Sequence, residues 1–297
     1  MRLENRYFMK TISAIFLLFY CLASTSQNLE IYVSAHPDDW QLFMNPNAYN
    51  SVANKDNKVL FLHTTAGDAG HGMGNNGYAL AREEGSLRAI RFMCNSLREE
   101  PGLGQKMTNK IAKVRGHQIQ KNTYANTVAY FLRLSDGNYY GPGYEATGLE
   151  SLRRIRGGAI KSISSVDGST TYKTLEDLKA TLLRLLKSEA KGYETIVLNI
   201  AETDTIANTG DHSDHLNSSW LMQDVASDLN VSLIRYYEEY STNKKPINVE
   251  GADFLNCAGT WGATASGLSD MGHYSTWDST HNSWIGRQYY REEKLGK

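Results

Sequence analysis

Short apolar runs alternate with amphipathic stretches along most of this 297-residue chain, and this alternation limits the fold more than any other feature. The runs are rich in β-branched and aromatic residues, as buried strands are, and they cover residues 29–34, 59–63, 195–200 and 232–237. The amphipathic stretches predict helices at residues 78–97, 175–186 and 216–229. Strands and helices in alternation favour a parallel sheet. We therefore predict an α/β fold: a Rossmann-like, open, mostly parallel sheet with helices on both faces and long irregular loops.

The start of the second predicted helix carries a capping motif. Thr174 and Asp177 have the spacing of a capping box, in which the side chain of the first residue accepts a backbone N–H from the first turn. Leucines at helical spacing follow on one face, at positions 175, 178, 182, 185 and 186. We expect a helix that begins directly after Thr174.

The composition favours one domain behind a targeting segment. With 41% hydrophobic residues, the chain has enough apolar side chains for one sizeable core. The periodic pattern weakens between residues 101 and 168, where we expect long packed loops, and again after about residue 246. We therefore predict a single domain over residues 27–297 with an irregular C-terminal extension after about residue 246.

Residues 1–26 have the three-part pattern of a secretory signal peptide. Basic residues from Arg2 to Lys10 precede an apolar run over residues 12–23, and small polar residues follow as far as Ser26. The run is shorter than the roughly 20 apolar residues that cross a bilayer. We expect cleavage near Ser26, a mature chain without a membrane span, and a secreted or periplasmic location.

Charge and cysteine content narrow the possible partners. Removing residues 1–26 takes away three basic residues and one acid, which moves the formal net charge from −1 to −3. No basic surface for nucleic acid is implied. Cys94 and Cys257 remain, and in an oxidising compartment they form either one disulfide or two buried free thiols. Two cysteines are too few for a cysteine-based zinc knuckle.

Two short polar segments follow predicted strands. His36 and Asp39 lie just beyond the first strand, and His215 lies beyond the strand at 195–200. In open α/β sheets, ligands bind at the carboxyl ends of the strands. Two histidines and one carboxylate form a recognised ligand set for catalytic zinc, and the same set suits non-haem iron(II). We predict a metal site on His36, Asp39 and His215, with Zn²⁺ as the cofactor and Fe²⁺ as the alternative.

Three further residues of these segments are predicted to be catalytic. Asp38 is next to a ligand and is our candidate for the general base that takes a proton from water. His212, as an imidazolium, would stabilise an oxyanion or protonate a leaving amine, and Asp214 would orient it. Taken singly, each segment is also typical of a plain turn or a polar loop.

Both segments resemble motifs of the de-N-acetylase family that includes the N-acetylglucosaminyl-phosphatidylinositol deacetylases, also called PIG-L-like or LmbE-like. Members of that family carry Ala-His-Pro-Asp-Asp after the first strand of a Rossmann-like sheet, and later His-x-Asp-His. Residues 35–39 and 212–215 match these two motifs. Weaker similarity covers residues 65–70 and 82–84 and extends loosely to about Tyr240.

The resemblance implies zinc on His36, Asp39 and His215, with Asp38 as base and with His212 and Asp214 as the electrostatic or acid pair. It also implies that Arg82 touches a substrate hydroxyl. For Arg82 the residues alone equally favour an ion pair on a helix surface.

The chain departs from the family pattern at two positions. Trp40 stands where the family commonly has Glu, which is not a ligand. Gly210 stands where some members have a catalytic Tyr, so a phenolic group would have to come from elsewhere, such as Tyr139 or Tyr140.

The C-terminal region is rich in aromatic residues. Their faces would suit the apolar faces of sugar rings, although such residues more often belong to a core or a subunit contact. The residues in question are Trp261, Tyr274, Trp277 and Trp284.

Together these features predict a secreted zinc-dependent hydrolase that removes the N-acetyl group from an amino sugar or glycoconjugate. The alternative from another class is a catalytically silent carbohydrate-binding protein on the same scaffold. A third, more remote alternative is an iron(II)-dependent oxygenase, which would leave the acetyl group in place.

Overall fold

The computed structural model of the protein describes residues 27–74, 77–97 and 105–295. The predicted signal peptide, residues 1–26, lies outside the described residues. Within the described ranges, no helix is both long and apolar enough to cross a membrane.

Eight strands form the main sheet, in the order β10-β9-β8-β1-β2-β5-β4-β3, and two short strands, β6 and β7, pair separately. The strand bounds are β1 Asn28–Ser34, β2 Lys58–Thr65, β3 Thr108–Val114, β4 His117–Tyr124, β5 Thr127–Leu134, β6 Ile163–Ser164, β7 Thr171–Tyr172, β8 Thr195–Ala201, β9 Leu233–Tyr237 and β10 Tyr290–Lys294. The five central strands from β9 to β5 are parallel to one another. The outer pairs are antiparallel. The predicted open, mostly parallel α/β sheet is confirmed.

Helices cover both faces of this sheet. Their bounds are α1 Asp39–Phe43, α2 Asn47–Ala53, α3 Tyr78–Ser96, α4 Leu152–Arg156, α5 Leu175–Glu189, α6 Ser213–Leu229, α7 Gly251–Asp270 and α8 Ser279–Asn282. One apolar core joins the sheet to α4, α5 and α6, and a second joins it to α1, α2, α3 and α7. Successive β1 residues supply the two cores in turn: Ile31 and Val33 point to the first, and Tyr32 points to the second.

The predicted start of α5 is confirmed. The Thr174 hydroxyl accepts the backbone N–H of Asp177 at 3.0 Å. The Asp177 carboxylate accepts the N–H of Lys173 at 3.1 Å rather than that of Thr174, so the reciprocal bond of a full capping box is replaced by one to the preceding residue.

Two predictions of irregular chain were wrong. Between residues 101 and 168, β3, β4 and β5 extend the sheet by an antiparallel meander. Every residue of β3 is exposed or half-buried, so this edge strand carries no apolar signal. After residue 246, α7 runs for 20 residues and packs along α3. Its four glycines lower helix propensity, but the close approach to α3 requires small residues.

Both cysteines of the described chain lie in the second core. Cys94 on α3 and Cys257 on α7 are both buried and are free thiols.

A long loop separates β5 from α4, and another connects β8 to α6. Both loops reach the same end of the sheet, where the parallel strands end.

Candidate metal centre

The site lies where the order of the parallel strands reverses. From β1 the chain moves outward through β2, and it later returns to place β8 on the other side of β1. The carboxyl ends of β1 and β8 are therefore neighbours, and a crevice at such a reversal is the usual ligand site of open α/β sheets. His36 to Asp39 follow β1, and Asp211 to His215 follow β8.

The structure brings the three predicted ligands, His36, Asp39 and His215, together so that one side-chain atom of each forms a corner of a triangle. His36 Nδ1 lies 3.2 Å from His215 Nε2 and 3.4 Å from Asp39 Oδ1, and His215 Nε2 lies 3.3 Å from Asp39 Oδ1. Tetrahedral zinc with bonds of about 2.0–2.1 Å separates its ligand atoms by about 3.3 Å. The three side chains are 5% exposed or less, so the triangle is shielded from bulk water. These residues fit a small divalent ion.

Local hydrogen bonds aim two of these ligand atoms. Asp39 Oδ2 accepts the backbone N–H of His36 at 2.7 Å, which turns Oδ1 toward the triangle. His215 Nδ1 lies 2.8 Å from Asp211 Oδ1 and 2.5 Å from Glu239 Oε2. A proton held on Nδ1 leaves the Nε2 lone pair available to a metal.

The electrostatics of the triangle favour positive charge. Burial lowers the pKa of His36, but the carboxylates of Asp39, Asp214 and Asp136 outweigh it and raise that pKa to about 10. Burial also opposes charge on His215, yet Asp211, Asp39 and Glu239 hold its pKa well above the usual value. The surrounding acids would likewise stabilise a dication.

Glu239 is an acid whose negative charge is disfavoured by burial there. Burial raises the pKa of Glu239 to about 8, although His215 opposes the shift. Asp39 behaves in the opposite way, because His215 and His36 outweigh burial and hold its pKa well below the usual value. The acids around the triangle are therefore unequal in charge.

The far side of the His36 ring faces two more acids. His36 Nε2 lies 3.6 Å from Asp214 Oδ2 and 3.9 Å from Asp136 Oδ2. Within the described residues, neither His36 Nε2 nor Asp214 Oδ1 has a hydrogen-bond partner. Asp214 Oδ2 also accepts the N–H of Gly137 at 2.7 Å. Asp214 Oδ2 also lies 4.0 Å from Nδ1 of His212, the residue that the sequence predicted it would orient, so Asp214 lies near both histidines.

His212 caps helix α6 beside the triangle. Its Nδ1 accepts the backbone N–H of Asp214 at 3.1 Å, so a neutral ring carries its proton on Nε2. Burial, together with His36 and His215, holds the pKa of His212 well below its usual value. The ring centroid lies 4.7 Å from that of His36. The geometry thus favours a neutral hydrogen-bond donor rather than the expected imidazolium.

Asp38 and Arg82 form an ion pair at the edge of the site. Arg82 Nη2 bonds Asp38 Oδ1, and Arg82 Nη1 donates to the carbonyl oxygen of Gly67 at 2.8 Å. Both side chains are 12% exposed, so the pair is not on the open helix surface. The guanidinium fixes the orientation of Asp38 between two elements.

Trp40, the first departure from the family pattern, belongs to the core. Its ring lies 4.4 Å from that of Phe61, and its indole N–H donates to the Ser86 hydroxyl at 3.1 Å. The residue therefore anchors α1 under the site and does not face the triangle.

Sequence reasoning missed Asp211 and Glu239, the two acids behind His215. Asp211 stands four residues before His215, a spacing that places both on one side of a helix start. That spacing was a usable signal. Glu239 follows β9 with no motif around it, and only the fold brings it to the site.

The second departure, Gly210, lies against Tyr139. The Tyr139 hydroxyl donates to the carbonyl oxygen of Gly210 at 2.5 Å. Its ring lies 5.8 Å from the His212 ring, centroid to centroid. Tyr140 is 74% exposed and lies next to it.

The C-terminal aromatic residues divide between core and surface. Trp261 and Trp284 are buried in the second core. Tyr274 and Trp277 are exposed. The four residues therefore do not form one platform.

No family model and no curated protein matches this chain. Among solved structures, the chain is similar to the N,N'-diacetylchitobiose deacetylase from Pyrococcus horikoshii, solved in complex with its inhibitor MPG, with a TM-score of 0.46 and 13% sequence identity. The similarity covers 91% of this chain and 85% of that one. A likeness of this size does not assign a function, which has to follow from the residues of this chain.

Proposed function

We propose that the protein is a zinc-dependent hydrolase that removes the N-acetyl group from an amino sugar or glycoconjugate. The observation that carries this proposal is the triangle of His36 Nδ1, Asp39 Oδ1 and His215 Nε2, with edges of 3.2–3.4 Å. Asp38 directly precedes Asp39 in the chain, and its carboxylate is paired with Arg82. A ligand set of two histidines and one carboxylate leaves room for a reacting group, as catalytic rather than structural metal sites do.

A zinc ion held by this triangle supplies Lewis acidity, which makes an amide carbonyl more electrophilic and water more acidic. Zinc is our first choice because the ligand atoms have tetrahedral spacing. Fe²⁺ accepts the same ligand set and is the alternative.

The chain's own residues supply the proton transfers. Asp38 accepts a proton from the attacking water and returns it to the leaving amine, a role that needs a carboxylate held at a fixed angle. Arg82 fixes that angle through its contacts with Asp38 and with the Gly67 carbonyl. The neutral His212 ring donates its Nε2–H to the oxygen of the amide as negative charge develops there.

The proposed substrate class rests on the motif resemblance and on the predicted signal peptide. Residues 35–39 and 212–215 resemble motifs of a de-N-acetylase family, which favours an acetamido group on a sugar over other amides. The predicted signal peptide supports an extracellular or periplasmic glycan as the target. Sequencing the N-terminus of exported protein tests this location, with Gln27 expected as the first residue.

Acetate release tests the hydrolase proposal. The purified, zinc-loaded protein is incubated with a panel of N-acetylated sugars and glycans, next to an Asp38→Asn and an Asp56→Asn variant. Asp38→Asn is expected to lower the rate by about 100-fold or more, the scale of a lost general base. Asp56 is an exposed acid at the opposite end of the sheet, and its variant should keep the parent rate.

The alternative makes a different prediction for the same panel. A catalytically silent carbohydrate-binding protein would hold one metal per chain and bind a sugar without releasing acetate. Equal rates for the parent and Asp38→Asn would overturn the role of Asp38.

A further inference from the structure

Two tyrosines are exposed at the mouth of the site, on the loop between β5 and α4. Tyr139 is 38% exposed and Tyr140 is 74% exposed. Adjacent exposed aromatic side chains beside a site are typical of a ligand-binding surface. Tyr140 is the more exposed of the two, because the Tyr139 ring also stacks on Tyr240.

The loop that carries these tyrosines is held rigidly. Gly141 has a φ of +86°, and a side chain there would run into Arg153 and Ser213. Gly143 has a φ of +78°, and its Cβ would lie 2.6 Å from the backbone of Leu149. Both positions therefore require glycine. A loop fixed in this way presents its side chains in one arrangement.

Hydrogen bonds join the same loop to helix α4 and to the start of helix α6. The carbonyl of Tyr139 accepts the N–H of Ser213 at 2.9 Å, and the guanidinium of Arg153 bonds the carbonyl of Tyr140. The Tyr139 hydroxyl is fixed on Gly210. The loop is thus bonded to residues that precede and follow His212 in the chain, namely Gly210 and Ser213.

The two tyrosine rings form an edge-to-face series that starts at His212. The Tyr139 ring stands at 87° to the His212 ring, with the centroids 5.8 Å apart, and it also stacks on the Tyr240 ring at 6.4 Å. The Tyr140 ring stands at 88° to that of Tyr139, at 4.8 Å. The series therefore leads from His212 to Tyr140, which is the most exposed of these rings.

We propose that Tyr140, supported edge to face by Tyr139, is a stacking platform for a second sugar ring, next to the ring that carries the reacting acetamido group. The inference rests on the proposed function and deepens it: the substrate is an oligosaccharide or a glycoconjugate rather than a free monosaccharide. An exposed tyrosine suits this ligand because the apolar face of its ring can pack against the apolar face of a pyranose.

Chain-length preference tests the platform. We would measure kcat/KM for acetate release from N-acetylglucosamine and from its β-1,4-linked trimer, with the parent, Tyr140→Ala, Tyr140→Phe and Tyr193→Ala. The parent should favour the trimer by about 10-fold, and Tyr140→Ala should lose most of that preference, as expected for one aromatic contact. Tyr140→Phe should retain it. Tyr193 lies at the opposite end of the sheet and should leave it unchanged.

A binding measurement separates failure of the platform from failure of the proposed function. If neither sugar releases acetate, quenching of intrinsic fluorescence by the trimer is compared between the parent and Tyr140→Ala. Trimer binding that is lost in Tyr140→Ala supports the platform without the hydrolase. A parent that treats the two sugars alike, or no trimer binding at all, overturns it.

Discussion

His215 Nδ1 lies 2.8 Å from Asp211 Oδ1, and both side chains are fully buried. The other carboxylate oxygen of Asp211 accepts a hydrogen bond from the Asn208 side chain at 2.6 Å. Asn208 therefore fixes the orientation of the Asp211 carboxylate, and Asp211 in turn fixes the orientation of the His215 ring. An acid that holds the ring proton of a ligand histidine sets its tautomer and increases its basicity.

Replacing Asp211 by Asn should weaken metal binding without removing a ligand. The change keeps the size of the side chain but removes the charge that holds the proton on His215 Nδ1. We expect zinc affinity to fall about 10- to 100-fold, as measured by competition with a chromogenic chelator.

Asp224→Asn is the matched control for this change. Asp224 lies on helix α6, which begins two residues after Asp211, and it makes a more exposed ion pair with Arg156. Both variants should keep the parent's far-ultraviolet circular dichroism. An Asp211→Asn affinity within about twofold of the parent would show that the contact does not tune the ligand.

Arg82→Lys should lower kcat more than it raises KM. Lysine is a point charge and cannot reach Asp38 and the Gly67 carbonyl with one planar group, so Asp38 loses its fixed angle. We expect a loss of about 10- to 100-fold in kcat for acetate release, the scale of a misplaced catalytic group.

Arg88→Lys, on the same helix, is the control, because Arg88 pairs with Glu84 and Asp270 away from the site.

The opposite kinetic pattern for Arg82→Lys would contradict this role. A rise in KM with kcat preserved would show that Arg82 binds a substrate hydroxyl, as the family resemblance implies.

The sequence predicted the central strands of the sheet but not the edge strand β3 or helix α7. Strands β1, β2 and β8 are buried on both faces and β9 mainly on one, and an apolar run marks each one. The edge strand β3 has no such run. Helix α7 was missed because glycine argues against a helix, whereas its packing depends on glycine.

The site was predictable where its residues are close in sequence. His36 and Asp39 share a turn, and His212 and His215 share a helix start, so their spacing alone indicates a joint role. Glu239 and Tyr139 reach the site from separate elements, and only the sheet order brings them there. Asp214 Oδ2 lies 4.0 Å from His212 Nδ1 and 3.6 Å from His36 Nε2, and sequence proximity indicated only the first of these two neighbours.

Gly267→Ala should destabilise the contact between α7 and α3. A Cβ at Gly267 would lie 2.6 Å from the Gly85 backbone, and the helices would have to separate. We expect a loss of about 1–3 kcal/mol in the free energy of unfolding, measured by chemical denaturation. At Gly262, in the same helix, a Cβ would lie 3.6 Å from Trp277, so Gly262→Ala should gain about 0.5–1 kcal/mol instead. Equal effects at the two positions would rule out helix contact as the cause.

Glu189 should make stability fall in acid. Burial would raise its pKa, but hydrogen bonds from Lys121, Lys58 and Tyr130 outweigh burial and lower the pKa from 4.5 to about 2. A carboxyl whose pKa is lower in the folded state stabilises the protein above its unfolded pKa. That contribution is lost as the pH falls from about 4.5 toward 2.

Glu189→Gln removes this dependence. The variant should be less stable than the parent at pH 7 by about 1–3 kcal/mol, and the gap should narrow at about pH 3, because there the carboxyl of the unfolded parent is protonated while that of the folded parent is still charged. Urea denaturation at the two pH values measures the gap. Glu176→Gln, an exposed acid on the same helix, serves as the control. A gap that stays constant between the two pH values would mean that Glu189 stabilises the fold by shape and packing rather than by its charge.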